Sequence, residues 1–222
     1  MITCVPVVVY TKSMTTPANK QKGTLIIIAA PSGAGKTSLV RALVENIPGL
    51  SVSISHTTRP ARPHEKHGVD YYFVSEEEFQ ALLDQNLFLE HATVFDHRYG
   101  TSRAWVEEQL AGGTDIILEI DWQGAQQARS IIKDATSIFI LPPSLAALEE
   151  RLKGRGDDER NIRRRMRDAV SEIEHYAEYD YLVINEFFDK TLKQLTAIIV
   201  GTRHDYRRHQ DYFETFLKRL LR

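Results

Sequence analysis

The run Ala30-Pro31-Ser32-Gly33-Ala34-Gly35-Lys36-Thr37 constrains the fold of this chain more than any other segment. It follows the apolar stretch Leu25 to Ala29 and precedes Ser38-Leu39-Val40-Arg41-Ala42-Leu43-Val44, so it reads as strand, tight glycine loop and helix. Glycines let a backbone fold around an anion with no Cβ in the way. Successive N–H groups then turn inward, and the helix N-terminus adds a favourable dipole. Lys36 offers a point charge to the β and γ phosphates of a nucleotide, Thr37 offers a hydroxyl to Mg²⁺, and Ser38 continues the first helical turn beside them. Ala30 stands where the strict pattern G-x-x-x-x-G-K-[ST] has its first glycine, a change that a negative local φ tolerates.

At 222 residues, with 42% hydrophobic and 26% charged side chains, the chain can build one large core with inserted subdomains. A formal net charge of -2 argues against a general polyanion-binding surface, so no nucleic-acid partner is expected. A small anionic substrate needs only a local basic pocket. Cys4 is the single cysteine, which excludes an intrachain disulfide and a cysteine-rich metal site and makes the cytoplasm the expected location. No apolar run approaches the ~18 residues that a membrane span needs. Residues 1–22 read as a flexible leader, with Met14 as an alternative start, and 23–222 as the folded domain. Oligomeric state, including a homo-oligomer, is left open.

Short apolar segments, Thr24 to Ala29, Asp115 to Ile120, Thr136 to Leu141 and Tyr181 to Ile184, alternate with helical patterns as a parallel sheet requires, and Ser51 to Ser55 adds a short strand. Helices are expected over Lys36 to Asn46, Ser102 to Ala111, Gln123 to Ile132, Ser144 to Leu152 and Glu159 to Glu178. A last one runs from Asp189 to about Leu221, continuous or broken. Between Thr57 and Thr101, Pro60, Pro63, Gly68 and Gly100 punctuate aromatic stretches, the texture of an inserted, mostly antiparallel subdomain. Gly154-Arg155-Gly156-Asp157-Asp158 has the glycines of a hinge and marks a lid.

A phosphate loop fits GTPases, motor ATPases and small-molecule kinases alike. The segment Ser51-Val52-Ser53-Ile54-Ser55-His56-Thr57-Thr58-Arg59-Pro60-Ala61-Arg62, followed by Glu65, Gly68, Asp70-Tyr71-Tyr72-Phe73-Val74 and Leu89-Glu90, resembles the guanylate kinase family, and the likeness runs from about Thr24 to beyond Asn185. It implies a P-loop kinase fold of the α/β class: a parallel sheet flanked by helices as core (23–56, 102–150 and 166–222), an inserted GMP-binding subdomain (57–101) and a helical lid (151–165). The implied reaction is transfer of the γ-phosphoryl group of ATP to GMP or dGMP with Mg²⁺, as part of purine nucleotide metabolism.

The residues suit that reaction. Arg59 and Arg62, three apart in a Pro-restrained loop, can aim guanidinium forks at one dianionic phosphate, while Tyr71 and Tyr99 offer phenolic hydroxyls. Guanine presents N1–H and a 2-amino group side by side, and one carboxylate accepts both. The resemblance makes Glu90 that acceptor, with Ser55 and Thr101 adding hydroxyls. Asp121, at the end of the strand Ile116 to Ile120, orients substrate or holds a water on Mg²⁺, or else caps the helix beginning near Trp122. Glu119 stands where the family normally carries Asp.

Helical spacing puts Ile162, Met166, Ala169 and Ile173 on an apolar stripe, Arg160, Arg164 and Arg167 opposite it, and Arg165 on its flank. By resemblance Arg151 and Arg165 stabilise charge on the transferred group, together with Lys36 and Arg59. Arg155 is a nucleotide contact, and Asn185 lies near the ATP base or acts as a turn residue. Two rivals remain: a guanylate-kinase-like binding module, disfavoured by the retained Lys36-Thr37 and arginines, and a kinase for another acceptor such as AMP, disfavoured by Glu90.

Overall fold

A computed structural model of the protein describes residues 21–94, 96–154 and 158–222. The central strand is β1 (Leu25–Ala29), buried at every position. Around it lie β2 (Leu50–Val52), β7 (Asp115–Glu119), β8 (Thr136–Leu141) and β9 (Tyr181–Ile184), in the order β2-β7-β1-β8-β9 and parallel throughout. Side chains of β1 alternate between two cores, as strand geometry demands. Ile26 and Ile28 pack with Leu39 and Leu43 of α1 (Lys36–Asn46) and Leu195 and Ile199 of α7 (Phe188–Thr202). Leu25 and Ile27 pack on the opposite face with Val106 and Leu110 of α3 (Arg103–Ala111) and Ala125 and Ala128 of α4 (Trp122–Ile131).

A second, smaller sheet holds β3 (His56–Thr57), β4 (Tyr72–Phe73), β5 (Phe88–Val94) and β6 (His97–Ser102) in the order β4-β3-β6-β5. Its β3–β6 and β5–β6 pairs are antiparallel, as expected of this segment, while its β3–β4 pair is parallel and makes the sheet mixed. The sequence reading gave this region no helix, yet α2 (Glu76–Asp84) forms there. Ser75 and Glu78 make a reciprocal capping box, and Phe79 is buried against Phe88 with ring centroids 4.7 Å apart. Nine residues with one fully buried apolar side chain carry too little periodicity to be read as a helix; the cap is the visible signal.

The remaining boundaries move for local reasons. The strand expected over Ser51 to Ser55 pairs only as Leu50–Val52; Ser53 N still donates to Ile117 O at 2.9 Å before the chain crosses to the second sheet. Helix α5 (Leu145–Lys153) precedes α6 (Glu159–Glu174), which tightens into a 3₁₀ turn over His175–Glu178 rather than continuing as α-helix. The C-terminal helix is broken into α7 and α8 (Gln210–Leu220). Arg203, at the break, is drawn to the foot of the sheet by Asp115 at 2.7 Å and Pro48 O at 2.8 Å. The leader expected over 1–22 lies outside the described residues except for Gln21 and Lys22, and Gln21 Nε2 donates to Arg203 O at 2.7 Å. No helix among the described residues is long and apolar enough to cross a membrane.

Candidate active site

The carboxyl ends of β1 and β7 open into a crevice, the place where parallel sheets bind ligands. The glycine loop after β1 needs its glycines twice over. Gly33 and Gly35 sit at φ 96° and 97°, where side chains strain the backbone. A Cβ on Gly33 would meet Leu148 and Leu152 at 3.0 Å, and one on Gly35 would meet Asn185 Nδ2 at 2.5 Å. Ala30 is buried at negative φ, since Asn86 and Asp96 are the described non-glycine residues at positive φ; its methyl group is tolerated as expected.

The loop is braced from behind. Asn185 Nδ2 donates to Ala34 O at 2.7 Å, while Arg151 donates to Asn185 O at 2.9 Å and to Ala34 O at 3.4 Å. Asn185 is thus buried against the back of the loop, where it and Arg151 together satisfy the buried Ala34 carbonyl, an acceptor that would otherwise go unpaired. Arg165 behaves as its flank position predicts, donating to Ser32 Oγ at 3.1 Å from α6. Arg155 lies outside the described residues. Ser38 is exposed on α1, beyond the cavity wall.

In front of the loop lies a cavity of about 260 Å³. Ala30, Pro31, Ser32, Gly33, Gly35, Lys36 and Thr37 form one wall. Ser55, Tyr71, Glu90 and Tyr99 from the second sheet form the other, and Glu119, Asp121 and Glu172 line the floor between them. Lys36 Nζ reaches across to Ile120 O at 3.1 Å. The Thr37 hydroxyl donates to Glu119 Oε1 at 2.5 Å, which gives Glu119 a partner in the site that the sequence reading could not assign. Asp121 caps α4, accepting from Gly124 N at 2.9 Å, and also lines the cavity.

Glu90 is 3% exposed and accepts the Thr101 hydroxyl at 2.5 Å, with Ser55 Oγ 3.3 Å from the same hydroxyl. Burial pushes its carboxyl up to about 7 even though the Thr101 bond pulls it down. Arg59 stands behind Tyr71 and Tyr99. Both Glu65 oxygens take its Nη2, at 2.8 and 2.9 Å, and its guanidinium lies 5.4 Å from the Tyr71 ring centre. Burial, with Glu119 nearby, pushes the Tyr71 phenol up to about 12, which keeps it a hydrogen-bond donor at neutral pH. The Arg62 side chain is 60% exposed at the rim, 3.9 Å from Glu65, and is not on the cavity wall.

Sequence reasoning missed Glu172. Burial pushes its carboxyl up to about 7 against the pull of Lys36, with Asp121 and Asp168 adding to the rise. The signal was available: Glu172 follows Arg165 by two helical turns and shares its flank of the apolar stripe. Arg160, Arg163, Arg164 and Arg167 are exposed, and Arg164 bridges from α6 to Asp96 of the β5–β6 turn at 3.0 and 3.3 Å.

A family model described as guanylate kinase matches residues 22–201. The chain belongs to the guanylate kinase family. A guanylate kinase of Saccharophagus degradans is 54% identical over 200 residues, covering 90% of this chain and 98% of the relative. One of Hydrogenovibrio crunogenus is 58% identical over 182 residues, covering 82% and 89%. The crystal structure of guanylate kinase from Anaplasma phagocytophilum superposes with a TM-score of 0.72 at 33% identity, covering 85% of this chain and 90% of that one. As a guanylate kinase family member the protein is a transferase, and its fold is the P-loop kinase fold.

Proposed function

We propose that the cavity joins two nucleotides for transfer of the γ-phosphoryl group of ATP to the α-phosphate of GMP or dGMP, giving ADP and the guanosine diphosphate. The observation that carries the acceptor assignment is Glu90, a buried carboxylate that lines the cavity with one oxygen engaged by Thr101. Such a group matches the paired donors of guanine and leaves adenine, which lacks them, unsatisfied. Sites built on specific hydrogen bonds reject analogues by ~10⁴ to 10⁵.

The 57–101 segment serves as the acceptor subdomain and 151–165 as the lid. Tyr71 and Tyr99 donate hydroxyls to the GMP phosphate, and Arg59 and Arg62 supply its countercharge, Arg62 by swinging in from the rim. The phosphate loop holds the ATP phosphates through its amides, Lys36 neutralises charge between the two nucleotides, and Arg165 adds a cation above Ser32. Arg151 acts through the loop it grips. No general base is needed, because the acceptor phosphate is already ionised near neutral pH. What remains for the protein is alignment and exclusion of water.

Thr37, Glu119 and Asp121 offer a hydroxyl and two carboxylates at the cavity floor, a donor set suited to a cation that prefers oxygen and keeps several waters. Mg²⁺ held there with ATP would neutralise phosphate charge. The single cysteine, Cys4, supports a location in the reducing cytoplasm.

A steady-state assay with ATP and either GMP or AMP tests the reading. Turnover of GMP at least ~10⁴-fold more efficient than of AMP is expected. Absence of GMP turnover, or equal use of AMP, would reject it.

A further inference from the structure

Two residues of α4 adjoin the base reader, one against the Glu90 carboxylate and one against the strand residue next to it. Gly124 is buried, and a Cβ built on it would stand 2.5 Å from Oε2 of Glu90 and 3.2 Å from its Cδ. Glu90 has no room to retreat, being 3% exposed with Oε1 held by the Thr101 hydroxyl. Gly124 is not among the glycines at positive φ, so its missing side chain serves space and not backbone conformation. A glycine inside a helix costs about 1 kcal/mol relative to alanine. The fold accepts that cost where the carboxylate rests on the bare Cα.

Gln127 acts on the adjoining backbone. β5 is an edge strand of the second sheet, and His91, next to Glu90, pairs there with Gly100 of β6. On its open side His91 N donates to Gln127 Oε1 at 3.0 Å, and Gln127 Nε2 donates to His91 O at 2.7 Å. One primary amide thus completes both hydrogen bonds of a strand residue, as a neighbouring strand would. The same helix carries Asp121 at its cap, so the place of Glu90 relative to the floor of the cavity is set by α4.

We propose that Gly124 and Gln127 are positioning residues for guanine selectivity, Gly124 by seating the Glu90 carboxylate and Gln127 by pinning the strand that bears it. The proposal rests on Glu90 being the guanine acceptor. A methyl group at 124 must push Oε2 from 2.5 Å to the 3.4 Å of ordinary contact, a shift of the size that unmatches one of two paired hydrogen bonds.

The test compares kcat/KM for GMP with that for inosine monophosphate, which keeps the N1 donor and lacks the 2-amino group. Gly124→Ala and Gln127→Ala should each lower kcat/KM for GMP about tenfold and for inosine monophosphate no more than about twofold, with KM for ATP unchanged. Gly124→Ala added to Glu90→Gln should leave the selectivity where Glu90→Gln put it, because the two act through one contact. If Glu90→Gln leaves GMP selectivity intact, the acceptor reading falls and this proposal with it. If Glu90→Gln reduces selectivity but both α4 variants keep the original ratio, or lose both substrates equally, the proposal alone is wrong. Gln127→Ala, at a half-exposed helical position, decides the matter should Gly124→Ala fail to fold.

Discussion

The two walls of the cavity are built by different physics. The triphosphate wall is backbone: a loop whose shape is dictated by two positive-φ glycines and braced through Ala34 by Asn185 and Arg151, on the central strand of the core. The acceptor wall is side chains, with Glu90, Tyr71 and Tyr99 standing on a small sheet in which β3 and β4 are two residues each. A triphosphate presents the same oxygens in every nucleotide, so fixed amides suffice for it. A base and its phosphate must be told apart from close analogues, and that takes individually placed polar groups whose positions depend on neighbours such as Glu65 and Thr101.

The largest effect should come from the backbone wall. Lys36→Ala is expected to lower kcat by about 10³-fold or more with the melting temperature nearly unchanged, since it removes charge where it develops in transfer. A kcat within tenfold of the parent would mean that the loop amides alone carry the phosphates. On the other wall, Arg59→Ala should raise KM for GMP by about 10²-fold while KM for ATP stays put, as the loss of a charge-assisted pair implies. If both KM values rise together, the two walls are not separable.

Protonation sharpens the contrast further. Glu90 must be ionised to accept two donors, and in the free protein its carboxyl is pushed up to about 7. KM for GMP should therefore rise about tenfold per unit as pH falls below 7 and level off above it, beyond whatever the acceptor phosphate itself contributes. Measured against Glu90→Gln, only the parent should show this added slope. Stability of the ligand-free protein runs the other way. The unfolded carboxyl titrates near 4.5, so the folded state binds the extra proton between about 4.5 and 7, and stability falls as pH rises through that window. A melting temperature that rises from pH 5 to 7 through this group would contradict the assignment.

The smallest effect concerns the support of the acceptor sheet. Ser75→Ala removes one half of the α2 capping box and should cost about 1 kcal/mol of stability, read by urea denaturation. KM for ATP should not change. A rise in KM for GMP alongside would show that α2 helps to shape the acceptor wall.

What the sequence made legible follows the same division. Strands β1, β7, β8 and β9 were readable within a residue or so because short apolar runs alternating with helical patterns have few other solutions. The loop, Lys36, Thr37 and the wall residues Ser55, Tyr71, Glu90, Tyr99 and Asp121 were readable from motif and family likeness, and the fold brings them to one cavity. The brace made by Arg151 and Asn185 was not, because it depends on which way the Ala34 carbonyl turns, a property of the folded loop and not of any spacing. Helix α2 escaped because its single buried residue carries no period. Glu172 belongs to no motif, and its place at the cavity follows from how α6 packs over it.

Because the contacts of Asn185 and Arg151 with the Ala34 carbonyl are made within the chain, the curvature of the loop is supported by the fold itself. The ordering entropy of that segment is then charged to the stability of the whole domain, about 1 to 2 kcal/mol per backbone residue fixed, and association with the triphosphate is relieved of it. Heat or denaturant that frees the brace should therefore blunt ATP capture before the sheet itself melts.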